Sequence, residues 1–318
     1  MDLLPQEFIY PDGFLISPEV SSGYTDYWFY WQAVYQPLLF FFPDNESSNQ
    51  PELHLQQFSK VLNLLSNGKK LESIWYGPPP EEAPTLVFLH EGLGCVSMWR
   101  DFPEKLAQQT GCGAMIYSRL GYGDSDACEL PRSLNFMHPE GLEVLPEIIV
   151  QCKINKCILV GHSDGASIAL IYAGENSTES LLGIVTEAPH VFCEQLTIRS
   201  INKVGELFRS GNLRELLKKH HGNNIDCAFK GWLEVWLHPD FAEWNIESCL
   251  PKIMVPQLVI QGNDDEYGTS AQVEAIVRQS GSIVETRFLD NCGHSPHRDQ
   301  ETQTLEFMTQ FVRNLLDR

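Results

Sequence analysis

From about residue 70 to its end, the chain alternates short apolar runs with stretches of helical periodicity, and this alternation restricts the fold more than any other feature. The runs are ESIWYG (72–77), TLVFLH (85–90), GAMIYS (113–118), KCILVG (156–161), LGIVTEA (182–188), QLVIQG (257–262) and SIVETRFL (282–289). Helical spacing falls between them, over 98–109, 139–152, 164–174, 269–279 and 300–316, the last with Leu305, Met308, Val312 and Leu315 on one face. A strand with no polar face has to be covered on both sides, and the intervening helices are what cover it. The sequence therefore predicts an α/β protein built on a mainly parallel, doubly wound sheet. One interval breaks the rhythm. Residues 190–252 carry no strand pattern but several helical ones, INKVGELFRS and NLRELLKKH among them, and the aromatic stretch GWLEVWLHPDFAEWNI (231–246). A helical block inserted between two strands is expected to cap the edge of the sheet.

Residues 1–68 stand apart as an N-terminal extension, with the main domain expected over 69–318 and its cap at about 190–252. The run YWFYWQAVYQPLLFFFP (27–43) is shorter than the ~20 apolar residues of a membrane span and is interrupted by Gln32, Gln36 and Pro37. It is expected to be an aromatic arm packed on the main domain. DNESSNQPE (44–52) has the composition of a linker, and Leu55, Phe58, Leu62 and Leu65 predict a helix over 53–66.

Charge excludes whole classes of partner. Against 22 basic residues stand 42 acidic ones, a net charge of −20, which argues against nucleic acid and anionic membranes, since both require a basic surface. The nine cysteines are odd in number and include no C-x-x-C pair, a spacing that suits neither a zinc site nor a disulfide framework. The opening MDLLPQEFIYPDG has neither the basic nor the apolar region of a secretion signal, so a reduced, cytoplasmic setting is expected.

The stretch LVGHSDGASIAL (159–170) carries the chemistry. It sets Ser163 between Gly161 and Gly165, with an apolar strand before and a helical pattern after. A G-x-S-x-G serine sits at the tip of a sharp strand-to-helix turn, where flanking glycines let strand and helix approach. A serine hydroxyl is a poor nucleophile until a base takes its proton. Candidates stand beyond the ends of later strands, where an open α/β sheet places its site. VIQGNDDEYG offers Asp264 and Asp265, and FLDNCGHSPHRD offers His294 and His297.

With FLHEGLG (88–94), SRLGYGDSD (118–126), GHSDG (161–165), QGNDDEYG (261–268) and CGHSPH (292–297) in this order, the chain from about residue 70 resembles the α/β-hydrolase superfamily, in its capped serine esterase and C–C hydrolase branch. The resemblance implies Ser163 as nucleophile, His294 as base and Asp265 as acid, with Asp264 the alternative acid and His297 a structural neighbour. It implies an oxyanion hole from the N–H of Asp164 and that of Gly92, with Leu93 the alternative, and Leu93 near the substrate. The usual His-Gly of the family is here His90-Glu91, so the Glu91 carboxylate is expected to point away from the hole. Arg119 is expected to be a structural anchor of its loop rather than a substrate ligand. The Asp164 side chain is either a first-turn helix acid or a partner for a cationic substrate group. Trp232, Trp236, Phe241 and Trp244 either line an acyl pocket or form the core of the cap. The implied activity is a serine hydrolase acting on a small-molecule ester or similar acyl bond, with no cofactor and no metal. The alternatives are C–C bond hydrolysis by the same residues and a non-catalytic receptor or interaction module on the same scaffold.

Overall fold

In the computed structural model, which describes residues 60–176 and 179–317, every one of the apolar runs is a strand. In chain order the strands are β1 (Lys60–Val61), β2 (Leu64–Ser66), β3 (Lys69–Leu71), β4 (Ser73–Tyr76), β5 (Thr85–Leu89), β6 (Gly113–Tyr117), β7 (Cys157–His162), β8 (Leu181–Glu187), β9 (Gln257–Gly262) and β10 (Val284–Leu289). Eight of them form one sheet in the order β1-β4-β6-β5-β7-β8-β9-β10. β4 runs antiparallel to β1 and β6, and every pairing from β6 through to β10 is parallel. The chain leaves β5 for β6 on one side and returns to β7 on the other. Strand order therefore reverses at β5, and the carboxyl ends of β5 and β7 open the crevice in which such sheets hold their sites.

The strands are apolar because both faces are covered. β5, β6, β7 and β9 are buried along their whole length. On one side Leu86, Phe88, Ile158, Val160 and Ile260 pack with Phe102 and Leu106 of helix α1 (Phe102–Thr110) and with Met308, Phe311 and Val312 of the C-terminal helix Glu301–Leu316. Residues 137–151 are helical, with a π turn at Glu140–Val144 before α2 (Leu145–Gln151). Helix α3 (Asp164–Glu175) follows β7 and is buried from Asp164 to Gly174. Between β8 and β9 the chain builds α4 (Gln195–Ser210), α5 (Leu213–His221) and α6 (Ile225–Trp236), then the 3-10 turns Pro239–Glu243 and Glu247–Lys252.

The helix expected over 53–66 gives way, in its described part, to the two strands β1 and β2, which fall within the expected extension. Lys60 pairs with Trp75 and Val61 with Ile74, and β2 makes a hairpin with β3. Asn67 and Gly68 form its turn at φ 48° and 75°, the conformation that Asn-Gly favours. That dipeptide outweighs the helical spacing of the leucines, because the hairpin buries Leu64 and Leu71 together. The arm at 27–43 and the linker at 44–52 lie outside the described residues.

Helix α3 crosses very near the ends of β5 and β7. A Cβ on Gly165 would lie 1.9 Å from the Leu89 carbonyl oxygen, and one on Gly161 would lie 2.4 Å from that of Gly165. Both obstacles are backbone and cannot step aside. Gly165→Ala is expected to destabilise the fold by about 3 kcal/mol, the upper end of overpacking costs, read as a lower urea midpoint with the slope unchanged.

Candidate active site

Ser163 stands between β7 and α3 at φ 52° and ψ −114°, a region that side chains seldom adopt. The conformation is held from both ends: the Ser163 N–H donates to the Glu187 carbonyl at 2.9 Å, and its own carbonyl accepts from the Ser167 N–H at 3.1 Å. Strain kept in place by surrounding bonds is characteristic of sites that must present one atom. The atom presented is Oγ, which lies 2.9 Å from His294 Nε2. On the other side of the ring, His294 Nδ1 is 2.8 and 3.0 Å from the two Asp265 oxygens. Asp265 also accepts from the N–H groups of Tyr267 (2.8 Å) and Gly268 (3.1 Å) and from the Gln261 amide (2.6 Å). Its orientation is therefore fixed. Asp264 is exposed, and its N–H donates to the Cys292 carbonyl.

The charges reinforce the geometry. Burial alone would push the His294 pKa down, but the Asp265 carboxylate, with Glu266 and Glu91 beyond it, outweighs burial and raises it above the ordinary histidine value. Burial opposes ionisation of Asp265 too, and the His294 charge and hydrogen bonds bring its pKa below the usual carboxylate range. For Glu266 the His294 charge does not outweigh burial, which lifts it to about 7.

The loop after β5 is anchored on one buried cation. Arg119 is 1 % exposed, and its Nη1 and Nη2 donate to the carbonyls of His90 (2.5 Å) and Glu91 (3.0 Å). Its backbone N–H donates to His90 Nε2 at 3.0 Å, and His90 Nδ1–H donates to the Glu91 carbonyl at 2.7 Å. Burial, with Arg119 adding to it, holds His90 neutral, as this donor–acceptor pattern requires. In a planar trans peptide the C=O and the following N–H point opposite ways. Fixing the Glu91 carbonyl on Arg119 thus turns the Gly92 N–H away from the guanidinium. The Glu91 carboxylate goes to His162 Nδ1 (3.5 Å) and Arg298 Nη2 (3.4 Å). Burial would raise its pKa, but His162 and Arg298 hold it well below the carboxylate range.

Helix α6 covers the site from the cap. Trp232 lies where a Cβ on Gly92 would be, 2.2 Å from the indole Nε1, and Trp236 Nε1–H donates to Asp164 Oδ1 at 3.2 Å. Trp236, Phe241 and Trp244 also pack on one another, with ring centroids 4.9 to 5.7 Å apart, as a core of the cap requires. The other Asp164 oxygen is 3.8 Å from Arg119, and burial, opposed by Arg119 and Trp236, raises the acid's pKa. Leu93 presents its carbonyl to His221 Nε2 at 2.9 Å, and His221 Nδ1 accepts from the Gly123 N–H at 3.0 Å.

His297, the second histidine of the last loop, is bonded to Glu187 at 2.8 Å. Among the described residues no group of three or more His, Cys, Asp and Glu is placed to hold a metal, and no helix is long and apolar enough to cross a membrane. Sequence reasoning passed over three residues of this site. His162 Nε2–H donates to the His294 carbonyl at 2.6 Å and so fixes the loop that carries His294. The His190 ring is 5.5 Å from that of His294, kept neutral by burial that takes its pKa to about 3, and Glu266 is the third. Each stands beside Ser163 or just past a strand end, which is the one signal that marks them.

A family model described as the alpha/beta hydrolase family matches residues 86–307. The chain is 25% identical over 275 residues to a Mycoplasma genitalium protein provisionally named "esterase/lipase 2", covering 79% of this chain and 98% of the other. It is 24% identical over 260 residues to a proline iminopeptidase of Lactobacillus helveticus, covering 67% and 84%. A thermophilic esterase from Thermogutta terrifontis shares the fold, with TM-score 0.60 and 17% identity over 82% of this chain and 99% of that one.

Arg119 is the residue whose loss the fold should feel most. Arg119→Met is expected to cost about 3–5 kcal/mol in urea unfolding, because Asp164 and two carbonyls lose a buried charged partner. Arg119→Lys should recover only part of it, lacking the planar fork that reaches two oxygens.

Proposed function

We propose that this chain, which belongs to the alpha/beta hydrolase family, is a serine hydrolase that cleaves a small-molecule ester or similar acyl bond through an acyl-enzyme. One observation carries the reading: Ser163 Oγ, the His294 ring and the Asp265 carboxylate form an unbroken chain of hydrogen-bond contacts at the mouth of the β5/β7 crevice. The names of the relatives, an esterase/lipase and a proline iminopeptidase, support hydrolysis of an ester or amide bond.

In this mechanism His294 Nε2 takes the proton of Ser163 as Oγ attacks the carbonyl carbon. The carbonyl oxygen becomes an anion and is held by the N–H groups of Asp164 and Gly92. Asp164 opens helix α3, where the first N–H groups have no partner within the helix, and Arg119 supports the Gly92 donor as described above. His294 then gives its proton to the departing alcohol or amine. Water enters, loses a proton to His294 and attacks the acyl carbon, which releases the acid and restores Ser163. Asp265 keeps the imidazole in one tautomer throughout and stabilises its charged form. In this reading the Asp164 carboxylate is a tie to the cap, since Trp236 and Arg119 already occupy it. Trp232 is the cap side chain set to meet the substrate.

A fluorophosphonate probe should label Ser163, and the adduct should be absent from Ser163→Ala and His294→Ala when both remain folded. Labelling of a different residue, or equal labelling of His294→Ala, would refute the mechanism. The pH profile gives a second check. Protonated His294 cannot accept the serine proton, so kcat/KM should fall on the acid side, and the raised pKa places that fall above the ordinary histidine value. Asp265→Asn should move the fall to lower pH and reduce kcat on the order of 10⁴-fold.

A further inference from the structure

Two thiols meet where α6 touches the loop that follows β6, away from the residues of the mechanism. Cys227 lies in the first turn of α6 and Cys128 lies 99 residues earlier in the chain, in that loop. Cys227 Sγ approaches the Cys128 carbonyl at 3.5 Å. Gly121 shows how close the sulfurs themselves are. A Cβ built on it would fall 2.6 Å from Cys227 Sγ, 2.7 Å from Cys128 Sγ and 2.9 Å from Arg132 Nη2. Two sulfurs and a guanidinium thus crowd one point, which stays open because residue 121 is glycine at φ +82°. Both cysteines are partly exposed, whereas Cys95, Cys112, Cys157, Cys249 and Cys292 are buried.

The surroundings suit a reactive thiol. A hydrogen bond from the Cys128 thiol, ahead of the opposing burial and with Arg132 adding to it, lowers the pKa of the Cys227 thiol, and the same bond raises that of Cys128. Cys152 and Cys193, the other partly exposed cysteines, are raised by burial. Low-pKa thiols beside a cation and a second cysteine are the ones that peroxides oxidise.

We propose that Cys227 and Cys128 form an oxidation site at which hydrogen peroxide closes a disulfide, fastening cap helix α6 to the loop after β6. The Cys227 thiolate attacks one peroxide oxygen, the O–O bond breaks, and hydroxide leaves to be protonated to water. Cys227 is then a sulfenic acid. The Cys128 sulfur attacks the Cys227 sulfur, the S–O bond breaks, and the departing hydroxide takes the Cys128 proton as a second water. Two thiols have lost two electrons and two protons, and one peroxide has become two waters. The bridge would bear on the site, because α6 also places Trp232 on Gly92 and Trp236 on Asp164.

The test is peroxide treatment of the full-length protein under native conditions, then intact-mass and peptide mass spectrometry. The expected result is a loss of about 2 Da, a linked peptide pair containing Cys128 and Cys227, and reversal by dithiothreitol. The oxidised protein should also melt several degrees higher, since the bridge closes a long loop in the unfolded chain. Cys128→Ser should stop at the sulfenic acid, which dimedone traps on Cys227, and Cys227→Ser should give neither product. A bridge between other cysteines, direct passage of Cys227 to the sulfinic acid in the wild type, or an unreacted Cys227 would overturn the proposal. None of these readouts depends on hydrolase activity.

Discussion

The approach of helix α3 to the end of β5 is the constraint on which the site rests. With the Leu89 carbonyl only 1.9 Å from where a Cβ would stand, residue 165 must be glycine, and the helix axis is pinned against the central strand. That fixes two things together. It forces Ser163 into its strained turn, and it brings the first amide of α3 beside the loop that leaves β5. Neither could be adjusted without the other, because the obstacles are backbone atoms rather than flexible side chains. The proposed nucleophile and its supporting amides thus share one rigid corner, the kind of preorganisation that electrostatic stabilisation needs.

Buried charge is the second theme. The protein carries a net charge of −20, yet the ionisable groups around the site are matched almost one to one. Arg119 faces Asp164 and two carbonyls, Glu91 lies between His162 and Arg298, Glu187 holds His297, and Asp265 holds His294. A buried charge without a partner costs several kcal/mol. These pairings therefore act as fixed joints between β5, β6, β7, β8 and the last loop. The cost of burial also explains why Glu266, for which the His294 charge does not outweigh it, is pushed up to about 7.

Much of this was legible in the sequence, for a physical reason. Strands buried on both faces are apolar throughout, so β4 to β10 announced themselves, and a glycine-flanked serine between strand and helix named its own turn. The site residues at strand ends followed, because the sheet brings those ends together whatever lies between them. The hairpin of β2 and β3 was missed because Leu55, Phe58, Leu62 and Leu65 show a helical period, while Asn67-Gly68 carries the stronger local signal. The partners of Arg119, His162 and Glu91 had no such marker. Their contacts join residues as much as 207 positions apart, and no local pattern encodes a pairing at that range. Glu91 was expected to turn from the hole on chemical grounds alone, and the structure supplies what it turns toward.

The two tryptophans of α6 stand four residues apart, so they project from one face of the helix. One rests on Gly92 and the other on Asp164, the two residues whose amides serve the anion in the proposed mechanism. A single rigid rod therefore spans both halves of that hole. In that mechanism, anything that tilts α6 to admit a bulkier acyl group also disturbs the donors proposed to stabilise the charge. In the proposed mechanism breadth of substrate and speed of turnover are thus mechanically linked, and neither can drift far without the other.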